Sequence, residues 1–260
     1  MSKNGTGGNG AAGGSPKSRN DGAGRPLPKR FYKLAAAAPK DGGWRIELDG
    51  RGARTPGKRE LMLPSKQLAA EVAAEWAAQV DHIDPAAMPL TRLVNTALDG
   101  VAGRQAEVAA DVVKYSLSDL LCYRAEQPEG LVARQAQLWD PVLDWAEERL
   151  NTRFVRQIGL MPVSQSPITA AAMAEALTGL DALRLAALHV MTSLTGSALL
   201  ALAVLEGRLD ADTAWSAAHV DEDWQIAEWG EDAEAVARRQ RRSIDMQAAA
   251  KLMRLLAASS

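Results

Sequence analysis

The chain has 260 residues, of which 47% are hydrophobic and 24% are charged. These proportions are ordinary for a globular protein and allow one large or two small domains with buried cores. A formal net charge of -2 gives no electrostatic argument for nucleic-acid binding, which would favour a basic face. With one cysteine, Cys122, and three histidines, the chain cannot form an internal disulfide or a metal site built from several cysteines.

Residues 1–29 are rich in Gly, Ser, Asn and Pro and contain almost no large apolar side chain. Such a segment cannot offset its ordering entropy by burial, so we predict a disordered tail. No apolar stretch follows the first basic residue, which argues against a secretory signal. The glycine-rich opening also could not hold the amphipathic helix of a mitochondrial presequence. We therefore expect a protein of a reducing, cytoplasmic compartment.

A small β-rich region is predicted after this tail. Four short segments have the composition or alternation of strands, namely residues 31–34, 44–48, 51–55 and 61–63. Asp49 and Gly50 supply a tight hairpin turn between the second and the third. Ser65 then caps a helix that places Leu68 and Trp76 on one face.

From residue 86 onward the pattern is helical. Pro89 stands where a helix can begin, and Leu90 and Leu93 mark its apolar face. Further helices are predicted over residues 105–121, 131–150, 169–177, 182–205, 211–229 and 232–256. The predicted fold class is therefore α+β: a small β-rich domain with one packed helix over residues 30–85, then a larger all-helical domain over residues 86–260.

The apolar stretch over residues 185–205 is long enough to cross a bilayer of ~30 Å. However, hydroxyl side chains and a glycine lie at its middle, and no basic cluster or aromatic belt flanks it. A helix that is apolar all round is also what the centre of a helical bundle requires. We predict a buried core helix, no membrane insertion, and His189 as a hydrogen-bonded core histidine.

The acidic segment over residues 219–232 is the most distinctive feature of the sequence. On a helix over residues 211–229, one stripe would contain Trp215, Ala218, Ile226 and Trp229. Glu222 falls at the centre of that stripe, where burying a carboxylate costs on the order of several kcal/mol unless it is paired. Glu222 is therefore either paired internally with an arginine such as Arg92, or part of an exposed apolar patch used for binding.

The oxygen ligands of this segment also raise the question of a metal ion. Asp221, Glu222 and Asp223 would project in directions ~100° apart on a helix, so they cannot converge on one ion without a second acidic helix. The sequence contains no second Asp-rich run of that kind. We predict no metal site and no cofactor.

Other polar groupings carry weaker signals. Two sets of residues each share a helical face: Arg92, Asn95 and Asp99, and Tyr115, Asp119 and Tyr123. Either set could line a groove, although solvated or internally bonded faces are more frequent. The arginines within residues 238–242 are predicted to be a solvated face. The sequence has no phosphate loop, nucleophile elbow or zinc-protease motif, and Cys122 is predicted to be a buried, inert thiol.

Short blocks of residues along the chain follow the order of a known family. The blocks are residues 88–99, Tyr115, residues 118–126, 139–145, 194–197, 221–225, 229–230 and Asp232. Together they resemble the F-type ATP synthase assembly chaperones dedicated to the alpha subunit. The likeness extends over about residues 31–235. Any single block is weak, whereas the ordered series is specific.

The resemblance implies a two-domain protein without catalytic activity. Its role would be to hold the unassembled alpha subunit until the beta subunit takes over the shared interface. It also implies an important acidic residue within residues 221–225, which we match to Glu222. The residues expected to bind this partner are Asp221, Glu222, Asp223, Trp224, Trp229, Asp232, Arg92 and Asp119. We expect a monomer in a bacterial cytoplasm, with eukaryotic relatives in the mitochondrial matrix.

Two other hypotheses stay open at this point. A small helical enzyme could use the acidic segment for acid–base or metal chemistry, which would require a pocket with convergent carboxylates. The other hypothesis is a scaffold protein in which every polar stripe is solvated. In that case, replacing Glu222 would barely change partner binding.

Overall fold

The computed structural model describes residues 26–159 and 161–258. Most of the predicted tail lies outside the described residues. Residues 26–29 do not belong to such a tail: Leu27 is buried, and Pro28 O accepts a hydrogen bond of 2.8 Å from Ile83 N. These four residues therefore pack on the small β-rich region.

A four-stranded antiparallel sheet forms the first part of the described chain. Its strands are β1 (Ala35–Lys40), β2 (Gly43–Leu48), β3 (Arg51–Gly52) and β4 (Met62–Leu63). β2 is central and pairs with the other three. Asp49 and Gly50 both have positive φ, as the predicted hairpin turn requires.

The strand predicted over residues 31–34 is wrong, and the first strand is the alanine-rich β1 instead. β1 pairs with β2 along its whole length, from Ala35 opposite Leu48 to Lys40 opposite Gly43. Alanine has little intrinsic preference for strands, so alternation pointed to the wrong segment. The usable signal was a second Asp-Gly turn at residues 41–42, where both residues have positive φ.

One helix, α1 (Lys66–Ala77), covers the sheet. Ser65 caps it as predicted, since its Oγ accepts a hydrogen bond of 3.2 Å from Leu68 N. Leu68 and Val72 are fully buried. The same helix also faces the helical part of the chain.

Glu75 joins α1 to the next helix, α2 (Pro89–Thr96). Its carboxylate accepts hydrogen bonds from Leu90 N at 2.8 Å, Thr91 N at 2.7 Å and Thr91 Oγ1 at 2.6 Å. The first turn of a helix has free amides and a positive dipole end, so it is a favourable place for a carboxylate. Glu75 therefore fixes the orientation of α2 against the sheet region.

The remaining helices follow in chain order. They are α3 (Gln105–Leu117), α4 (Glu129–Leu150), α5 (Pro167–Ala176), α6 (Ala182–Thr195), α7 (Ala198–Leu205), α8 (Ala211–Ala218), α9 (Val220–Trp229) and α10 (Ala233–Ala257). Two short strands, β5 (Tyr123–Arg124) and β6 (Gln157–Ile158), pair in parallel beside α4.

Three predicted helices end or break earlier than expected. The helix over residues 182–205 is two helices, because Gly196 has φ +68° and Ser197 Oγ caps α7 at Leu200 N, 3.0 Å away. The helix over residues 211–229 breaks at His219. The helix over residues 105–121 ends at Leu117, and a 3₁₀ turn (Leu120–Cys122) follows it.

The centre of the helical part is the pair α6 and α7. Leu188, Met191, Leu199 and Leu202 have no exposed surface, and α2, α3, α4, α8 and α10 all pack against one or both of these helices. This confirms the predicted core role of the apolar stretch. Among the described residues, no helix is long and apolar enough to span a bilayer.

His189 lies at the edge of this centre and not within it. Its Nε2 is 2.8 Å from Asp111 Oδ2, and its side chain is 34% exposed. The hydrogen bond that we predicted for His189 is present, but its location in the core was wrong. The sheet region and the helices share one continuous set of buried apolar side chains, and the domain boundary at residue 85 stays a prediction.

Replacing Glu75 with Ala should lower the free energy of unfolding by about 2 kcal/mol, because two backbone amides of α2 lose their acceptor. The matched control is Glu71→Ala, one turn earlier on α1. Its exposed ion pair with Lys251, 2.6 Å long, should contribute less than about 1 kcal/mol. Urea unfolding of the two variants measures the difference, and equal losses would contradict this role of Glu75.

Candidate functional site: a groove beside the acidic helix

The break at His219 sets the direction of the acidic helix α9. His219 is buried, its Nδ1 lies 2.8 Å from Trp215 O, and its ring is 3.9 Å from the Trp215 ring centroid. Burial lowers the pKa of His219 below its ordinary value. The neutral imidazole thus joins α8 to α9 as a packed side chain.

A groove of about 880 Å³ lies between α9 and the first half of α10. Its large apolar lining residues are Trp215, Ile226, Trp229, Val236 and Ile244. The Trp229 side chain is 88% exposed and Ile244 is 49% exposed. Concentrated apolar exposure of this kind marks binding surfaces in otherwise ordinary globular proteins.

Glu222 lines this groove, as its place on the predicted apolar stripe required. Its side chain is 40% exposed, and its Oε2 lies 3.9 Å from Nε2 of the neutral His219. The alternative of a buried ion pair with Arg92 is wrong, because Arg92 lies 2.5 Å from Asp245 Oδ1 on α10 instead. The carboxylate of Glu222 therefore stands beside apolar surface without an arginine or lysine partner among the described residues.

The neighbours of Glu222 hold α9 in place. Gln135 Nε2 donates a hydrogen bond of 2.6 Å to Asp221, and Arg239 lies 2.5 Å from Asp223 Oδ1. Trp224 packs on Gly130 of α4, so closely that a Cβ there would lie 2.5 Å from the indole. These contacts tie the acidic helix to α4 on one side and to α10 on the other.

Two more predicted site residues lie at the end of α9. Asp232 lines the groove and caps α10, since its carboxylate accepts a hydrogen bond of 2.8 Å from Ala235 N. Trp229 lines the groove and is almost fully solvent-exposed. The structure thus places Glu222, Trp229 and Asp232 in the lining of one groove, whereas Asp221, Asp223 and Trp224 do not line it.

Asp119 does not line this groove. It is fully buried, and it accepts hydrogen bonds of 3.1 Å from both Leu121 N and Leu199 N. Burial raises its pKa to about 6. Because no part of this carboxylate reaches the surface, Asp119 cannot contact a partner directly; it links the 3₁₀ turn to the start of α7.

Sequence reasoning missed the contribution of α10 to the groove. Val236, Gln240 and Ile244 line it at four-residue spacing, and this helical periodicity was a usable signal. The arginine run is also more than a solvated face. Arg242 donates a hydrogen bond of 2.6 Å to Leu194 O, and its guanidinium lies 5.9 Å from the Trp215 ring.

The apolar groove with the Glu222 carboxylate in its lining is suited to binding a protein surface. Among residues 26–159 and 161–258, no group of three or more His, Cys, Asp and Glu side chains could hold a metal ion. Cys122 is buried, and burial raises its pKa to about 12, so the thiolate that a nucleophile needs does not form at neutral pH.

Known proteins resemble this chain over most of its length. The family model for the ATP12 chaperone protein matches residues 29–147. "Protein atp12, mitochondrial" of Schizosaccharomyces pombe is 26% identical over 228 residues, which cover 80% of this chain and 77% of the relative.

Solved structures agree with this likeness. A crystal structure of a putative chaperone from Agrobacterium tumefaciens is 50% identical, with a TM-score of 0.85, covering 89% of this chain and 87% of that one. Atp12 from Paracoccus denitrificans is 42% identical, with a TM-score of 0.82, covering 88% and 98%. An Asp→Lys mutant of the Paracoccus protein gives the same TM-score of 0.82 at 41% identity, covering 88% of this chain and 97% of that one.

The raised pKa of Asp119 predicts a pH-dependent difference between wild type and Asp119→Asn. A raised carboxyl pKa stabilises the folded protein fully below the unfolded value near 4, and this stabilisation is lost as pH rises through about 6. The wild-type advantage in unfolding free energy should therefore shrink by on the order of 2–3 kcal/mol between pH 4 and pH 7. Urea unfolding at several pH values measures it. A difference that does not change with pH would show that burial does not shift this carboxyl.

Proposed function

The chain belongs to the ATP12 chaperone family, and we propose on this basis that its client is the unassembled alpha subunit of F-type ATP synthase. Family membership gives the coarser role, an assembly chaperone of the F1-ATPase that acts by binding and not by catalysis. In our proposal the chaperone covers the subunit interface of free alpha until the beta subunit joins.

The observation that carries this proposal is the groove between α9 and α10. It combines exposed apolar surface, at Trp229 and Ile244, with a carboxylate, Glu222, that has no arginine or lysine partner among the described residues. A free subunit that exposes its assembly interface presents apolar surface prone to aggregation. Trp and aliphatic side chains can cover such surface, because large aromatic anchors dominate binding energy.

Glu222 would supply selectivity in this complex. An unpaired carboxylate at the side of an apolar groove favours a partner with a basic residue at the matching place and disfavours an acidic one. A carboxylate of the incoming beta subunit could take over the same contact. The groove is open to solvent, so release needs no rearrangement of the chaperone core.

We also propose that the protein acts as a monomer in the bacterial cytoplasm. The single cysteine supports a reducing compartment, because Cys122 is buried and unpaired. The remaining candidate site residues enter as supports for the groove. Asp221, Asp223, Trp224 and Arg92 hold α9 and α10, and Asp119 holds the start of α7.

Glu222→Lys should weaken binding of purified alpha subunit by about tenfold or more, because it puts a like charge where a basic client group is expected. The matched control is Glu228→Lys, the same change on an exposed residue of α9 that does not line the groove. Biolayer interferometry gives both affinities, with helicity checked by circular dichroism.

The outcome of this comparison tests both the client and the binding site. Loss confined to Glu222→Lys supports the client and the site together. Equal binding of alpha by the wild type and both variants would support alpha as the client and reject the groove as its binding site. If wild type itself fails to capture alpha, the proposed function falls.

Trp229→Ala should reduce the affinity for alpha by roughly 1–3 kcal/mol, since an exposed indole gains its burial only in the complex. Stability should stay within about 0.5 kcal/mol of wild type, as expected for an exposed site. Ile168→Ala, at a side chain that is 68% exposed away from the groove, is the control and should leave the affinity unchanged. Thermal melts and binding titrations measure both quantities.

A further inference from the structure

A second groove lies in the sheet region, far along the chain from α9. It has a volume of about 690 Å³ and is formed between the segment before β1, the sheet and α1. Its apolar lining comes from Phe31, Tyr32, Leu48 and Trp76, and Arg51 and Arg54 also line it. We call it the N-terminal groove.

The aromatic side chains of the N-terminal groove are fixed in a row. The Phe31 ring lies 5.3 Å from the Tyr32 ring, which in turn lies 5.8 Å from the Trp76 ring. Tyr32 Oη donates a hydrogen bond of 2.7 Å to Trp76 O. Phe31 is nevertheless 73% exposed, and the nearby Leu34 is 65% exposed. A held but exposed aromatic ring is the kind of anchor that protein interfaces use.

A third exposed apolar side chain belongs to the same side of the molecule. Val80 is 75% exposed and lies between Gln79 and Asp81. Both of these residues accept hydrogen bonds through their carbonyl oxygens from Arg30, the neighbour of Phe31. Three exposed apolar side chains, Phe31, Leu34 and Val80, therefore belong to the region of the N-terminal groove.

The N-terminal groove carries a positive charge, because two arginines, Arg51 and Arg54, line it against one carboxylate, Asp49. Residues 29–60 contain nine Lys and Arg against four Asp and Glu, a net charge of +5. Three of these acidic groups are already occupied. Glu47 and Glu60 form ion pairs with Arg45 and Lys40, and the Asp49 carboxylate accepts backbone N–H groups of Lys33 and Leu34, which lowers its pKa.

Arg51 and Arg54 are the arginines that line the groove, and both are exposed. Within the described part of the chain neither forms an ion pair with a carboxylate. Arg54 donates only to the carbonyl oxygen of Lys58, at 2.9 Å. Two guanidinium groups are thus available beside an apolar, aromatic-lined surface.

The acidic segment on the other groove has the opposite sign. The groove between α9 and α10 is lined by three carboxylates, Glu222, Glu231 and Asp232, and by one arginine, Arg239, which is paired with Asp223. The protein therefore carries two apolar grooves of opposite charge. Opposite charges on two contact surfaces fix the orientation of a partner, because the reversed arrangement places like charges together.

We propose that the N-terminal groove is a second docking surface for the same client, which takes a client segment with an Asp or Glu beside an aromatic or aliphatic anchor. This inference rests on the proposed function. Arg51 and Arg54 pair with the acidic group, and Phe31 and Leu34 cover the apolar anchor. Two weak contacts on one client act together, since the first raises the effective concentration of the second.

The test uses the full chain with Arg51 and Arg54 both changed to Glu, and purified alpha subunit as the client. We expect about tenfold weaker binding at low salt and a smaller difference at high salt, because exposed charge contacts are screened. The matched control carries Arg208→Glu and Arg254→Glu, two exposed arginines outside both grooves. It should bind within about twofold of wild type, as expected for charges outside the contact.

Two further measurements keep the outcome decisive. Phe31→Ala removes the exposed anchor without a charge change and should also weaken binding. Hydrogen exchange should show protection of backbone amides in residues 31–34 and 48–54 when alpha is bound.

The possible results separate the two proposals. Unchanged affinity in the arginine and Phe31 variants, with no protection of these amides, overturns the N-terminal groove while wild-type capture of alpha keeps the chaperone role. A loss equal to that of the Arg208 and Arg254 control also overturns it, since net charge alone would explain the effect. Absence of capture by wild type overturns the proposed function itself.

Discussion

The structure depends on the burial of two apolar helices, α6 and α7. Their side chains are apolar on nearly every face, so they are stable only if other helices enclose them. Burying a Leu or Met side chain contributes roughly 1.5–3 kcal/mol, and these helices bury more than ten apolar side chains. The positions of α2, α3, α4, α8 and α10 follow from that requirement.

The groove beside the acidic helix is a consequence of how α10 meets this centre. All buried residues of α10 lie from Met246 onward, and its first half contributes none. The second half packs in the core, whereas the first half is tied to the neighbouring helices by polar contacts, such as that of Arg242 with Leu194 O on α6. α9 begins after the break at His219 and is joined to this first half by the ion pair of Asp223 with Arg239. The exposed apolar surface between α9 and α10 is therefore positioned by contacts with the core, although it does not belong to the core itself.

The acidic residues near this groove have different roles. Asp223 and Asp232 are used within the structure, one in an ion pair with Arg239 and the other as the cap of α10. Glu222 has no such task, and its carboxylate remains beside Trp229 and Ile226. An acidic run that looks uniform in the sequence thus contains supporting residues and one residue that is available to a partner.

Much of the fold was accessible from the sequence. Helical periodicity, the Ser65 cap and the Asp49–Gly50 turn are local signals, and they predicted the sheet region, the helices and the central apolar stretch. The place of Glu222 among Trp215, Ile226 and Trp229 was also predicted, because the stripe survives the break at His219. The ordered blocks of residues indicated the family.

Only the tertiary structure decided which hydrogen-bond and ion-pair partners the polar side chains have. Arg92 pairs with Asp245, which is 153 residues away, and Asp119 accepts from Leu199, which is 80 residues away. Such contacts leave no local pattern, since any carboxylate could have met any donor. The contribution of α10 to the groove and the alanine-rich β1 did have local signals, namely the four-residue spacing of Val236, Gln240 and Ile244 and the turn at residues 41–42. The sequence by itself determined which segments are helical and which residues are apolar; packing around α6 and α7 determined which of them remain exposed to bind a partner.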